Sequence, residues 1–192
     1  MTTTVNLKTE ALKNGVIWGV INVALFLLFW YVMPDIMNTF WHTGITLIIG
    51  LSLAVFFTLD MRKKAGGYWS FSEALWNIFV MFLLSMGIAY VFSILFGKFI
   101  DTNYPVVMKE TVMSSTVSMY KSIGMDEDAI NKAMEKVGPG LDKQFNPTFF
   151  QAIVGFGIAA VAYFVGALIF ALIFKRSNPN PFAPVEDEAV TQ

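Results

Sequence analysis

The third of four long apolar runs carries one ionisable side chain near its start, Glu73, with Asn77 one turn later on the same helix face. A carboxylate and an amide placed so, close to a bilayer surface, could hold a proton or a lipid headgroup. The simpler use is a carboxylate reaching back to water beside Arg62, Lys63 and Lys64, which end the preceding run. Those three cations suit a topology anchor, and such clusters also attract anionic headgroups. Arg62, Lys63, Lys64, Glu73 and Asn77 are thus the candidate lipid-headgroup residues.

The rest of the chemistry is sparse. His42 is the single histidine, and no Asp or Glu cluster joins it to complete a zinc site. Zero cysteines remove thiolate ligands, thiol nucleophiles and disulfides. Asp126-Glu127-Asp128 lacks the spacing and the glycine of a calcium loop, and its acids suit a helix N-terminus. No H-E-x-x-H, G-x-S-x-G, P-loop or dinucleotide-type glycine pattern occurs. The expectation is no catalytic residue, no metal and no cofactor. A net charge of -1 without a clustered basic face gives no case for nucleic acid.

The elements that would position these residues are membrane spans. Of 192 residues, 56% are hydrophobic and only 14% charged, where a soluble domain carries about 25% charged. The runs cover residues 15–33, 41–59, 71–100 and 147–174. Nineteen residues of helix, as in the first, reach roughly 28 Å, close to the hydrocarbon core of about 30 Å. A secretory signal is the rival for the first run, but Met33-Pro34-Asp35-Ile36 offers no small-residue cleavage site. The third run is too long for a perpendicular crossing, so its first turns lie at the interface or the helix tilts. Asn146-Pro147 reads as the N-cap and first helical residue of the fourth.

Orientation follows from Lys and Arg. Lys8, Lys13, Arg62, Lys63, Lys64, Lys175 and Arg176 flank one side, and the first connection has none. The long third connection balances its cations with seven acids. The positive-inside rule then puts both termini in the cytoplasm and the insert, 101–146, outside. Trp30, Tyr31 and Trp41 mark the outer interface; Tyr68 and Trp69 mark the inner one. From Ser177 on, a Pro- and Asn-rich, then acidic, stretch reads as a disordered cytoplasmic tail.

The insert patterns as a helical hairpin. Val106, Met113, Val117 and Tyr120 recur at helical spacing after Pro105, and Gly124 is a natural stop. A second stripe, Ile130, Ala133, Met134 and Val137, ends where Gly138-Pro139-Gly140 should break the helix. These stripes can pack on each other and the span ends, or form a groove for a partner protein or lipid chain. Its methionines would make such a groove adaptable.

Two small-residue patterns mark helix packing. Ala152, Gly155, Ala159, Ala162 and Gly166 follow one face of the fourth span, and Gly15-x-x-x-Gly19 is a shorter version in the first. In lipid such seams let backbones approach so that dispersion contacts hold helices together. The partner helix is either internal or in a second subunit, and the pattern is the same for both. The fold expected is an all-α membrane protein with four transmembrane helices and an extracytoplasmic helical hairpin between the third and fourth.

Two segments carry a resemblance. They are Lys64-Ala65-Gly66-Gly67-Tyr68-Trp69-Ser70-Phe71-Ser72-Glu73-Ala74 and Gly124-Met125-Asp126-Glu127-Asp128-Ala129-Ile130-Asn131-Lys132-Ala133-Met134. In this order within a four-span layout, the chain resembles the bacterial inner-membrane family catalogued as Domain of Unknown Function 4199, up to about Lys175. The resemblance implies a small cytoplasmic-membrane protein of a kind typical of the Bacteroidota, and brings no activity or site residues with it. The expected role is a non-enzymatic accessory or assembly subunit of a larger membrane complex. Its expected partners are membrane lipids and a membrane protein or a second copy of the chain. The alternative is a lipid-handling or small-solute carrier, placed by analogy beside a polyprenyl-phosphate glycosyltransferase.

Overall fold

A computed structural model describes residues 6–37 and 40–176. Helices α1 (Leu7–Tyr31), α2 (Pro34–Met37), α3 (Phe40–Lys64) and α4 (Phe71–Leu95) come first, the last running on as a π turn, Phe96–Ile100. Then follow α5 (Tyr104–Ser122), α6 (Glu127–Phe145) and α7 (Phe149–Phe174). Among the described residues there is no strand, only one antiparallel bridge between Trp69 and Arg176. Leu7–Tyr31, Trp41–Lys64, Phe71–Ile100 and Phe149–Phe174 are each long and apolar enough to span a bilayer. By length and composition the chain is an all-helical, multi-pass membrane protein. The expected tail, 177–192, lies outside the described residues.

Local signals explain the helix ends, including those that differ from expectation. α1 begins at Leu7, ahead of the apolar run, because the Asn6 side chain caps it by accepting from the Lys8 amide. α4 starts with a capping box in which Ser70 and Glu73 satisfy each other's backbone amides. The fourth span is capped by Thr148 with Gln151 in a second box, not by Asn146, which instead closes α6. A hydroxyl and a glutamine three apart outweigh the Asn-Pro pair. Nor does Gly138-Pro139-Gly140 break α6, which runs through it to Phe145. Gly138 carries no Cβ to clash with the proline ring, and both flanking glycines face open space.

α1 and α4 ascend side by side as the central pair. Gly15 lies against Leu84 and Met81, and Gly19 against Ile88; a Cβ added at Gly19 would stand 2.7 Å from Ile88 Cδ1. α3 runs antiparallel along α1, with Phe57 stacked on Trp18 and His42 edge-on to Phe29. α7 runs antiparallel along α4, where Phe170 meets Phe82 and the Tyr90 hydroxyl donates to the Ala152 carbonyl at 3.1 Å. Tyr90 fills the space beside Gly155, and Phe82 approaches Gly166. Ala152 and Ala159 are half-buried, whereas Ala162 is exposed, so only part of that seam is used within the chain.

Burial is lopsided along the bundle axis. On α3 the buried residues are Ala54, Phe57, Thr58 and Met61, all in its second half; on α7 they are Ala167 and Ala171. The opposite halves present Trp41, Leu47, Ile48, Ile153, Ile158 and Val161 outward. Hydrocarbon is the natural cover for such faces.

Candidate functional site

The two ends of the bundle differ in chemistry. One, the basic end, gathers the start of α1, the α3–α4 turn and the end of α7. Gly66 and Gly67, at φ +81° and +82°, supply the left-handed backbone that turns the chain between α3 and α4. Behind them Trp69 locks the turn to α7. Its indole donates to the Phe174 carbonyl at 2.8 Å, and its backbone exchanges hydrogen bonds with Arg176 at 3.0 and 3.2 Å. The Arg176 guanidinium lies over the Tyr68 ring, 5.4 Å from its centre.

The sequence-predicted headgroup residues meet at this end, but not as one cluster. The Lys64 ammonium is held by Glu10 at 2.6 Å and Asp60 at 2.7 Å, tying α3 to α1. Arg62 and Lys63 have no ion pair among the described residues. Glu73 is exposed, and its carboxylate accepts from both the Ser70 amide and the Ser70 hydroxyl at 2.9 Å. It is a capping group rather than a partner of the three cations. Asn77 is buried and donates to the Glu73 carbonyl at 2.8 Å, so the i, i+4 pair meets through backbone.

Deeper in the same half, three polar atoms lack a hydrogen-bond partner among the described residues: Asn14 Nδ2, Trp18 Nε1 and Thr58 Oγ1. Asn14 and Trp18 share a face of α1, and Thr58 follows the Phe57 that stacks on Trp18. No group of three or more metal-ligating side chains occurs among the described residues.

The other end carries α5 and α6 and is built around an aromatic knot. Phe96, fully buried in the π turn, packs edge-on to Phe26, Trp30, Tyr31 and Tyr104. The π turn brings Gly97 so close to Tyr104 and Pro105 that an added Cβ would stand 3.0 Å from the Tyr104 ring. Burial pushes the Tyr104 phenol up to about 12. Asp101 anchors the loop by accepting from the Trp30 indole and the Asn103 amide, both at 3.0 Å.

From the knot, α5 and α6 run out and back. The Lys109 ammonium near the start of α5 bonds Asp142 near the end of α6 at 2.6 Å, which fixes them as antiparallel. Ile130, Met134 and Leu141 are their buried residues on α6, while Val106 and Met119 stay exposed. Gly124, at φ +82°, makes the turn between them, and the Asp126 side chain caps α6.

One feature of this end was not read from the sequence. Thr111, Ser115, Ser118 and Ser122 recur four, three and four apart on α5 and line a groove of about 730 Å³, with His42 and Thr43 on its other side. The spacing was there to find. Attention to apolar periodicity alone passes over a hydroxyl stripe.

A family model for a protein of unknown function (DUF4199) matches residues 13–176, and the chain belongs to that family. No curated protein and no solved structure matches it.

Proposed function

We propose that this member of the DUF4199 family is a non-enzymatic accessory or assembly subunit of a larger complex in the bacterial inner membrane. In this reading the basic end and both termini are cytoplasmic, and α5 and α6 form an extracytoplasmic helical hairpin. The lysines and arginines of the short connections support that sidedness.

The observation that carries the proposal is a set of glycines with no internal use. Among the described residues, nothing beyond the neighbouring turns of their own helices lies within 4 Å of where a Cβ would stand at Gly44 and Gly50 in α3 and Gly157 in α7. A glycine in a span interior weakens the helix unless something approaches its backbone closely. In lipid, that something is another helix. These glycines lie on the two spans that are least covered within the chain, unlike Gly15 and Gly19, which α4 already fills. Extraction in mild detergent followed by size and mass analysis tests the proposal. A stable complex that Gly50→Leu with Gly157→Leu disperses is the expected result; a lone monomer, unaffected by both changes, would overturn it.

A second reading, lipid handling, has its own observation. Lys8, Lys13, Arg62, Lys63 and Lys175 crowd one end without an ion pair among the described residues, while Lys64 absorbs the local acids. Five such cations suit anionic headgroups, at about 1 kcal/mol each near the surface. Replacing Arg62 and Lys63 by Gln should then impair lipid-linked sugar transfer in cells. Unchanged transfer with normal insertion would remove this reading.

A further inference from the structure

The basic end is short of acids. Seven Lys and Arg gather there, from Lys8 on α1 to Arg176 after α7, against three acids, Glu10, Asp60 and Glu73. All three are engaged, Glu10 and Asp60 by Lys64 and Glu73 by Ser70. Lys8, Lys13, Lys63 and Lys175 are exposed and Arg62 is half-buried, none with an ion pair among the described residues. The acids from Asp101 to Asp142, with Asp35 in α2, belong to the opposite end of the bundle. That leaves Glu186, Asp187 and Glu188, in a stretch after Arg176 that carries no Lys or Arg of its own.

The point where this stretch leaves the bundle is fixed. Arg176 exchanges backbone hydrogen bonds with Trp69 at 3.0 and 3.2 Å, and its guanidinium covers the Tyr68 ring. Residue 177 therefore departs beside the α3–α4 turn, among the unpaired cations. Glu186 follows ten residues after Arg176, a reach of up to about 35 Å. The end of a four-helix bundle with helices about 8–10 Å apart is roughly 20–25 Å across. Every one of these cations is within range, and a tether this short keeps the acids at an effective concentration of roughly millimolar. Exposed ion pairs are individually weak and screened by salt. Such a contact depends on the tether and on several cations acting together, and it yields to a more strongly anionic surface.

We infer that Glu186-Asp187-Glu188 docks on Lys8, Lys13, Arg62 and Lys63 of the same chain and competes there with anionic lipid headgroups, an autoinhibitory contact. Donor and receptor share one end of the bundle through covalent connection, so the contact forms for either sidedness of the membrane. It is also independent of whether the chain serves a larger complex. The competition rests on the lipid reading of the basic end; the contact does not.

The test treats the full chain in phosphatidylcholine nanodiscs with a zero-length carbodiimide, which joins a carboxylate to a touching lysine, and reads linked peptides by mass spectrometry. Links from residues 186–188 to Lys8, Lys13 or Lys63 are expected, falling at least about fivefold at about 0.5 M salt. Links to Lys175 alone, which any tether of this length allows, overturn the inference. Links found only between chains, in a mixture of isotopically light and heavy protein, overturn it as well. Competition is read in nanodiscs containing phosphatidylglycerol. The triple variant Glu186→Gln, Asp187→Asn, Glu188→Gln should retain that lipid at least about threefold more than the unaltered chain, and adding Arg62→Gln with Lys63→Gln should erase the gain. Equal retention by the unaltered and triple-variant chains overturns the inference. If neither retains phosphatidylglycerol while the links to α1 and α3 persist, the lipid reading is refuted and the contact stands.

Discussion

The basic end and the insert end solve the same problem, holding four spans together, by different means. The basic end is stitched by hydrogen bonds and ion pairs between segments far apart in sequence: Lys64 to Glu10, Trp69 to Phe174 and Arg176. The insert end is held by ring packing around Phe96, and beyond it α5 and α6 stand largely on each other. Polar stitching near water costs little, because the same groups can be hydrated when strained or opened. Aromatic packing has no such substitute. The lesson is that the end with fewer polar bonds should be the more sensitive to a single truncation, while remaining the more open to ligands.

Truncation of Phe96 is the strongest challenge to that contrast. Phe96→Ala should destabilise the protein by about 3–5 kcal/mol, read by thermal or denaturant unfolding in detergent, and should loosen α5 and α6 in hydrogen exchange. A loss confined to the basic end would break the comparison. Next comes the seam shared by both ends. Gly19→Val forces a side chain into Ile88 and should cost about 1–3 kcal/mol, whereas Gly157→Val, with open space, should leave the isolated chain's stability unchanged.

At the basic end the effects should be smaller. Trp69→Phe removes the bond to the Phe174 carbonyl and should cost about 1 kcal/mol. Lys64→Met, which breaks two partly exposed ion pairs, should cost no more than about 1 kcal/mol. Smallest of all is Thr58→Val. Its buried hydroxyl lacks a partner among the described residues, so an isosteric apolar replacement should be neutral or slightly stabilising by the same unfolding assay. A clear loss there would reveal that Thr58, Asn14 and Trp18 share a bound partner.

Much of the framework was legible because lipid imposes simple rules. Four apolar runs, the Gly66-Gly67 turn, the Gly124 stop and the Asp126 cap all follow from local chemistry. Local chemistry also misled where two signals competed. Asn146-Pro147 lost to the Thr148–Gln151 box, and Pro139 was tolerated because its neighbour has no Cβ. Glu73 reads from the sequence as a carboxylate reaching water beside Arg62, Lys63 and Lys64, whereas Ser70 claims it in a capping box whose Ser-x-x-Glu spacing was there to see. The joint between Trp69 and Arg176 spans more than a hundred positions and leaves no trace in spacing. Grooves are worse still, since they belong to no element. The one beside α5 exists only because that helix passes the start of α3, although its hydroxyl stripe was written plainly in the sequence.

Everything functional depends on which end of the bundle faces which compartment. The absence of native cysteines makes that directly measurable. Single cysteines at Lys132→Cys in α6 and Lys63→Cys at the end of α3 would be exposed to a membrane-impermeant maleimide in spheroplasts, before and after permeabilisation. The expected result is labelling of the α6 cysteine in sealed spheroplasts and of the α3 cysteine only once the membrane is opened. The reverse pattern, or equal labelling of both in sealed spheroplasts, would contradict the account.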